Sequence, residues 1–293
     1  MTDLKGIFAA MTTPLDDSGE AIDEARYRDH IDHLIESGLH GLVLCSGTGE
    51  YAYLRPQERR WLIEEGVRHV DGRVPTIAQT TELSTATCIE NAKAAEGAGA
   101  SAIMVMPPYL EPPGPDGVFR HYEVIAQAVS IPVVMYNVPA QAAPLSEDLY
   151  RRLLEVPGLD YVKDSSGELA TLQGFIGVGG KVLCGIDSYA PYALMEGAVG
   201  MIWGATNFMP RECATLYDLI AGGDATGAMA LWARMRPVCL WLLNNNHDVD
   251  YLTGVKAATG LAGHPMGPHR RPLTAPSDAA MAELAQAMEH LET

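Results

Sequence analysis

Paired cysteines are absent from this chain. The five it has, Cys45, Cys88, Cys184, Cys213 and Cys239, are odd in number and scattered. That pattern excludes a disulfide framework and gives no zinc-site spacing; it fits reduced thiols and a cytoplasmic setting. Positive charge is also scarce. Twenty Lys and Arg stand against 37 Asp and Glu, for a net charge of −17 and a pI near 4.8. A chain so acidic is not built for nucleic acid or an anionic membrane surface. No apolar run is long enough to span a bilayer. The opening residues, Met1 to Lys5, lack a basic region followed by an apolar stretch, so no secretory signal is expected.

What remains is a chain of 293 residues, 47% hydrophobic, enough for one large core or two domains. Its pattern alternates. Short apolar runs at Ile7–Met11, Leu42–Cys45, Val74–Ala78, Ala102–Met106, Val133–Tyr136, Tyr161–Val162, Val182–Leu183 and Val199–Trp203 read as buried strands. Segments with helical periodicity lie between them: Ile22–Ser37, Pro56–Val70, Ser84–Ala98, Gly117–Val129, Ser146–Val156, Leu169–Val178, Tyr189–Gly197 and Pro210–Ala221. Ser84 and Ser146 suit helix caps; Pro56 and Pro210 suit first-turn positions. Alternation implies a parallel sheet, and eight units is the number that closes a (β/α)8 TIM barrel. A doubly wound open sheet is the alternative, but the phosphate fingerprints often found on it are missing. After Gly222-Gly-Asp224 the alternation stops. Ala225–Leu243, Asp250–Leu261 and Ser277–Leu291 read as helices, so residues 1–224 form the barrel with its active site and 225–293 a C-terminal helical extension.

Within this frame Lys163 draws the eye. It ends the apolar run from Gly158 and leads into Asp164-Ser-Ser-Gly167. A strand end feeding a loop is where α/β proteins build sites. Burial disfavours an ammonium and frees the amine as a nucleophile, able to form a Schiff base with a carbonyl substrate. The plainer alternative is a lysine paired with a carboxylate such as Asp164. Tyr136, in Val133-Val-Met-Tyr-Asn-Val-Pro139, falls at the same end of the sheet. It suits a proton shuttle, or else a core tyrosine with a backbone partner. The loop Ser46-Gly-Thr-Gly-Glu50 offers backbone N–H groups and the Thr48 hydroxyl to a small carboxylate, or is an ordinary glycine turn. Tyr109 follows the fourth strand and fits either a site or packing. His30 and His33 share a helix face that reads as solvated, with no metal pattern around them; His264 and His269 read as surface or packing residues. Gly177 to Lys181 fails as a phosphate loop, and Ser46 lacks a nucleophile-elbow context.

The loop after strand two, Tyr109, Tyr136 and Lys163 would share one mouth in a barrel. With Thr12-Thr-Pro14, Gly47-Thr-Gly-Glu50, Tyr136-Asn-Val-Pro139, Val162-Lys-Asp-Ser-Ser-Gly167, Gly185, Gly197-Ala-Val-Gly200, Pro265-Met-Gly-Pro268 and Arg271-Pro-Leu273 in order, the chain resembles a known family. It is the dihydrodipicolinate synthase/N-acetylneuraminate lyase family of Schiff-base aldolases, and the resemblance spans nearly the whole chain. It implies that Lys163 forms an imine with pyruvate or another 2-oxo acid and that Tyr136 shuttles protons. It implies further that Gly47 and Thr48 hold the substrate carboxylate and that Ile202 lines the pocket with its carbonyl. Tyr109 would complete a proton relay, often across a subunit interface. No metal or organic cofactor is implied, and a homo-oligomer, tetramer or dimer, is.

Two departures qualify the resemblance. Gln141 stands where the synthases carry an arginine that binds the carboxylate of aspartate semialdehyde, and glutamine cannot reproduce a bidentate cationic fork. Gly47 stands where the synthases have a relay threonine, so the hydroxyl chain from Tyr136 to Tyr109 would be broken or water-bridged. The expected activity is therefore a lyase, aldolase or dehydratase, on a 2-oxo-3-deoxy or 4-hydroxy-2-oxo acid. Synthesis of dihydrodipicolinate from pyruvate and aspartate semialdehyde is the alternative within this chemistry. A catalytically idle 2-oxo acid binding protein is the alternative outside it, and a metal-dependent aldolase lacks its ligands.

Overall fold

The computed structural model describes residues 3–244 and 249–291. The first and last residues of the two expected segments, 1 and 293, lie outside it. Eight strands form a closed parallel barrel in chain order. They are β1 (Gly6–Ala10), β2 (Gly41–Leu44), β3 (Thr76–Gln79), β4 (Ala102–Val105), β5 (Val133–Asn137), β6 (Tyr161–Asp164), β7 (Lys181–Cys184) and β8 (Gly200–Trp203). Each is followed by a helix: α1 (Glu24–Glu36), α2 (Pro56–Val70), α3 (Thr85–Ala98), α4 (Pro115–Ala128), α5 (Glu147–Leu153), α6 (Leu169–Gly177), α7 (Ala190–Glu196) and α8 (Pro210–Ala221). Three more, α9 (Ala225–Asn244), α10 (Tyr251–Leu261) and α11 (Asp278–Met288), form the C-terminal layer.

The strands exist because their residues are buried on both faces. Phe8, Val43, Ile77, Met104, Val134, Tyr161, Leu183 and Ile202 fill the barrel. Their alternate neighbours, among them Ile7, Leu42, Ile103, Val133, Met135, Val162 and Met201, pack under the helices. The expected caps are in place. Ser84 and Ser146 accept from the amides of Thr87 and Leu149, and Pro56 and Pro210 sit in first turns. Asp23, Asp250 and Ser277, read as helical, instead cap their helices from outside.

One expectation fails. The face bearing His30 and His33 is not solvated, because α1 lays it against the barrel. His30 is 2% exposed and its Nε2 lies 2.9 Å from Asn207 Oδ1. The Asn207 amide donates to the carbonyls of Ala10 and Gly204, so its oxygen faces His30 and Thr12, which fixes the histidine as the Nε2–H tautomer. His33 stacks on His264, with ring centroids 3.8 Å apart. Among the described residues no cluster of His, Cys, Asp or Glu is arranged to hold a metal, and no helix is long and apolar enough to cross a membrane.

Candidate active site

The register of β5 against β6 sets the centre of the site. Tyr136 pairs with Lys163 and Asn137 with Asp164. Side chains alternate along a strand, so Tyr136 and Lys163 face the barrel interior while Asn137 and Asp164 face outward. Lys163 Nζ lies 4.2 Å from the centre of the Tyr136 ring. Lys163 is 7% exposed. The plainer reading, an ion pair with Asp164, does not hold. Asp164 accepts from Asn137 Nδ2 at 2.7 Å and from the Ser166 hydroxyl at 2.9 Å, and burial raises its carboxyl above the usual range. Asp164 thus ties the two site strands together on their outer face and leaves the amine free inside.

Gly185, just past β7, makes room for that amine. A Cβ there would fall 2.7 Å from Lys163 Cε and 2.1 Å from Ser165 Oγ. The lysine stem therefore lies across a bare backbone, pinned without a polar partner. It opens into a cavity of about 540 Å³ at the carboxyl ends of the strands. Tyr136, Gly47, Thr48 and Ile202, all expected in the site, line it with Lys163.

The loop after β2 is held from two sides. Thr13 Oγ1 donates to the Gly49 carbonyl at 2.7 Å and Ser46 Oγ to that of Met11 at 3.2 Å. Cys45 and Glu50, which bracket the loop, both adopt left-handed backbone conformations, with φ of 55° and 62°. Non-glycine residues take this conformation at a cost, and here buried contacts hold it. Glu50 Oε1 meets Lys256 Nζ at 2.8 Å, and Oε2 accepts the Arg270 amide at 2.8 Å. Both members of the Lys256–Glu50 pair are at most 2% exposed. His269, expected at the surface or in packing, is buried beside the same carboxylate at 3.5 Å. The N–H groups of Gly47 and Thr48, residues that line the cavity, have no backbone acceptor among the described residues.

Gly47 has nothing within 4 Å of where its Cβ would be, so the gap left by the missing relay hydroxyl is open space. Tyr109 does not line the cavity. It is 37% exposed and its hydroxyl lies beside that of Tyr51, which does line it. Gln141 lines the cavity where the arginine was expected. Of the described lining residues, Lys163 is the one basic side chain; Glu50 is paired with Lys256, and Asp250 caps α10.

Several site residues were missed. Ser165 Oγ and Gln79 Oε1 are buried in the cavity wall with no hydrogen-bond partner. Ser165 was legible from its place near Lys163; Gln79 ends β3, as Lys163 lies one residue from the end of β6, and the same strand-end rule would have found it. Tyr251, Asp250, Leu243 and Leu273 come from the C-terminal layer, so the cavity is not confined to the barrel segment. No spacing in the sequence ties them to it. Asp187, buried behind the wall, accepts from Tyr251.

The model of the dihydrodipicolinate synthetase family matches residues 3–291. A protein of Syntrophobacter fumaroxidans named 4-hydroxy-tetrahydrodipicolinate synthase is 35% identical, over 97% of this chain and 98% of its own. Among solved structures, a dihydrodipicolinate synthase of Bacillus anthracis superimposes with a TM-score of 0.92 at 29% identity, over 99% of each chain. A chloride-inhibited dihydrodipicolinate synthase of Acinetobacter baumannii complexed with pyruvate does so with a TM-score of 0.92 at 28% identity, over 99% of each chain. The chain belongs to the dihydrodipicolinate synthetase family, and as such it is an enzyme of the lyase class.

Proposed function

We propose that this family member is a Schiff-base lyase acting on pyruvate or on a 2-oxo-3-deoxy or 4-hydroxy-2-oxo acid through an imine on Lys163. The observation that carries the reading is the buried Lys163 amine, set against the Tyr136 ring in a cavity with no other described cation. The amine attacks the 2-oxo carbon, and loss of water gives an iminium. Electrons from the breaking bond at the neighbouring carbon flow into it and leave an enamine. Tyr136 moves protons to and from the departing oxygen, and the N–H groups of Gly47 and Thr48 with the Thr48 hydroxyl hold the carboxylate. Ile202 lines the pocket floor. Tyr109, set away from the cavity in one chain, would serve a relay only if a second subunit brought it there, as in a dimer or tetramer. The residues require no metal or organic cofactor.

Beyond the 2-oxo acid group, the cavity favours an uncharged, hydroxylated substrate tail. Gln141, Ser165 and Gln79 offer neutral donors and acceptors, and no described cation waits for a second carboxylate. The names of the curated relatives favour a second reading, condensation of pyruvate with aspartate semialdehyde. Steady-state assays separate the two. The first reading expects turnover of a 2-oxo-3-deoxy sugar acid, with loss of substrate and release of pyruvate or a dehydrated product. It expects aspartate semialdehyde with pyruvate to turn over at least a hundredfold less efficiently. The reverse order of efficiencies establishes the synthase reading instead.

A further inference from the structure

Behind Lys163 lies a carboxylate that the reaction scheme above does not use. Asp187 opens the short turn after β7, two residues beyond Gly185, on whose bare backbone the lysine stem rests. It is 1% exposed. Its Oδ2 accepts the Tyr251 hydroxyl at 2.7 Å, and its Oδ1 has no hydrogen-bond partner. Tyr251 arrives from α10 and lines the same cavity as Lys163. Its hydroxyl fits a slot over Gly204, where a Cβ would fall 2.2 Å away. A buried carboxylate with one oxygen unsatisfied is expensive, and it persists where a cation answers it.

We propose that Asp187, positioned by Tyr251, is the counter-charge of the iminium formed on Lys163. The inference rests on the Schiff-base reading. An iminium is a cation that must survive long enough to accept electrons, and in a cavity whose described lining holds no other cation a buried anion behind it stabilises it. Each element packed around Asp187 fits this role. Lys163 on β6 supplies the one cation. Cys184 on β7, Cys213 on α8 and Cys239 on α9 are buried thiols whose ionisation is pushed far up, so they stay neutral. The Trp203 indole N–H on β8 lies beside the carboxylate and acts to lower it, short of a full hydrogen bond. Burial lifts the Asp187 carboxyl to about 7, against the Tyr251 hydrogen bond, the charge of Lys163 and the Trp203 indole, which all act to lower it. A cation on Lys163 therefore favours the ionised form of Asp187, and the ionised form favours the cation. Asp187 is a positioning residue: it touches no reacting atom.

The test is reductive trapping of the full-length enzyme with pyruvate and cyanoborohydride, which reduces protonated imines, followed by intact mass from pH 6 to 10. Asp187→Asn keeps the shape and removes the charge. Its trapped adduct should fall at least tenfold in the alkaline range, and the alkaline limit of trapping should move down by about one to two pH units. Tyr251→Phe should move the limit the same way by less. A purely structural role would lower the adduct evenly at all pH values and leave the limit in place. Superimposable profiles for the wild type and Asp187→Asn overturn the proposal. If Asp187→Asn does not fold, Tyr251→Phe decides alone, and an unmoved limit overturns it. A wild type that traps no 2-oxo acid at any pH removes instead the Schiff-base reading beneath it.

Discussion

Two inward-facing residues on neighbouring strands, Tyr136 and Lys163, carry the proposed chemistry, and their pairing is a matter of register. Tyr136→Phe should lower kcat roughly 10²–10⁴-fold, the usual worth of a positioned proton donor, with the circular dichroism spectrum and thermal midpoint kept. Wild-type rates in that variant would remove Tyr136 from proton transfer. At Gly47 the structure makes an opposite kind of prediction. The space is open, so Gly47→Thr should fold with its stability changed by about 0.5 kcal/mol or less. Its KM should rise more for a long 2-oxo acid than for pyruvate. An equal rise for both would show that residue 47 does not border the distal subsite. Lys163 and Tyr136 were legible in the sequence because each is a polar residue closing an apolar run. Asp187 and Tyr251 were not, because they are 64 positions apart and meet only after the barrel closes and α10 folds over it.

Among the elements, the loop after β2 and the C-terminal layer act as one unit. Glu50 has a left-handed backbone, and Lys256 of α10 and the Arg270 amide occupy its carboxylate. Lys256→Met leaves a buried, uncompensated carboxylate and should cost about 3–5 kcal/mol. It should also raise KM, since the loop carries the amides proposed to bind the carboxylate. Adding Glu50→Gln should restore part of the stability but not the loop geometry, so the midpoint recovers further than KM. Recovery of both together would make the pair purely structural. The strand–helix alternation exposed all eight units, because hydrophobic period follows from burial on two faces. The ends were less visible. Asp23, Asp250 and Ser277 read as helical, yet each stands outside its helix to satisfy the first orphan amides.

For the whole molecule, buried histidines give the stability a pH dependence. Desolvation lowers His30 and His121 to about 4, against an unfolded value near 6.5. Between these values the unfolded chain binds more protons than the folded one, so this contribution is complete above pH 6.5 and is lost as pH falls towards 4. His30→Gln, which can still donate to Asn207, should therefore show a smaller drop in thermal midpoint between pH 7.5 and 5 than the wild type. An equal drop would clear His30 of that role. The sequence showed His30 only as one of two histidines on a helix face; its burial depends on which face α1 turns to the barrel. The proposed chemistry depends on Lys163. Borohydride reduction with pyruvate, followed by peptide mass spectrometry, tests it most directly. The predicted result is a pyruvate-derived mass increment on the peptide carrying Lys163, absent from Lys163→Ala; an increment on another lysine, or none with any 2-oxo acid in folded protein, contradicts it.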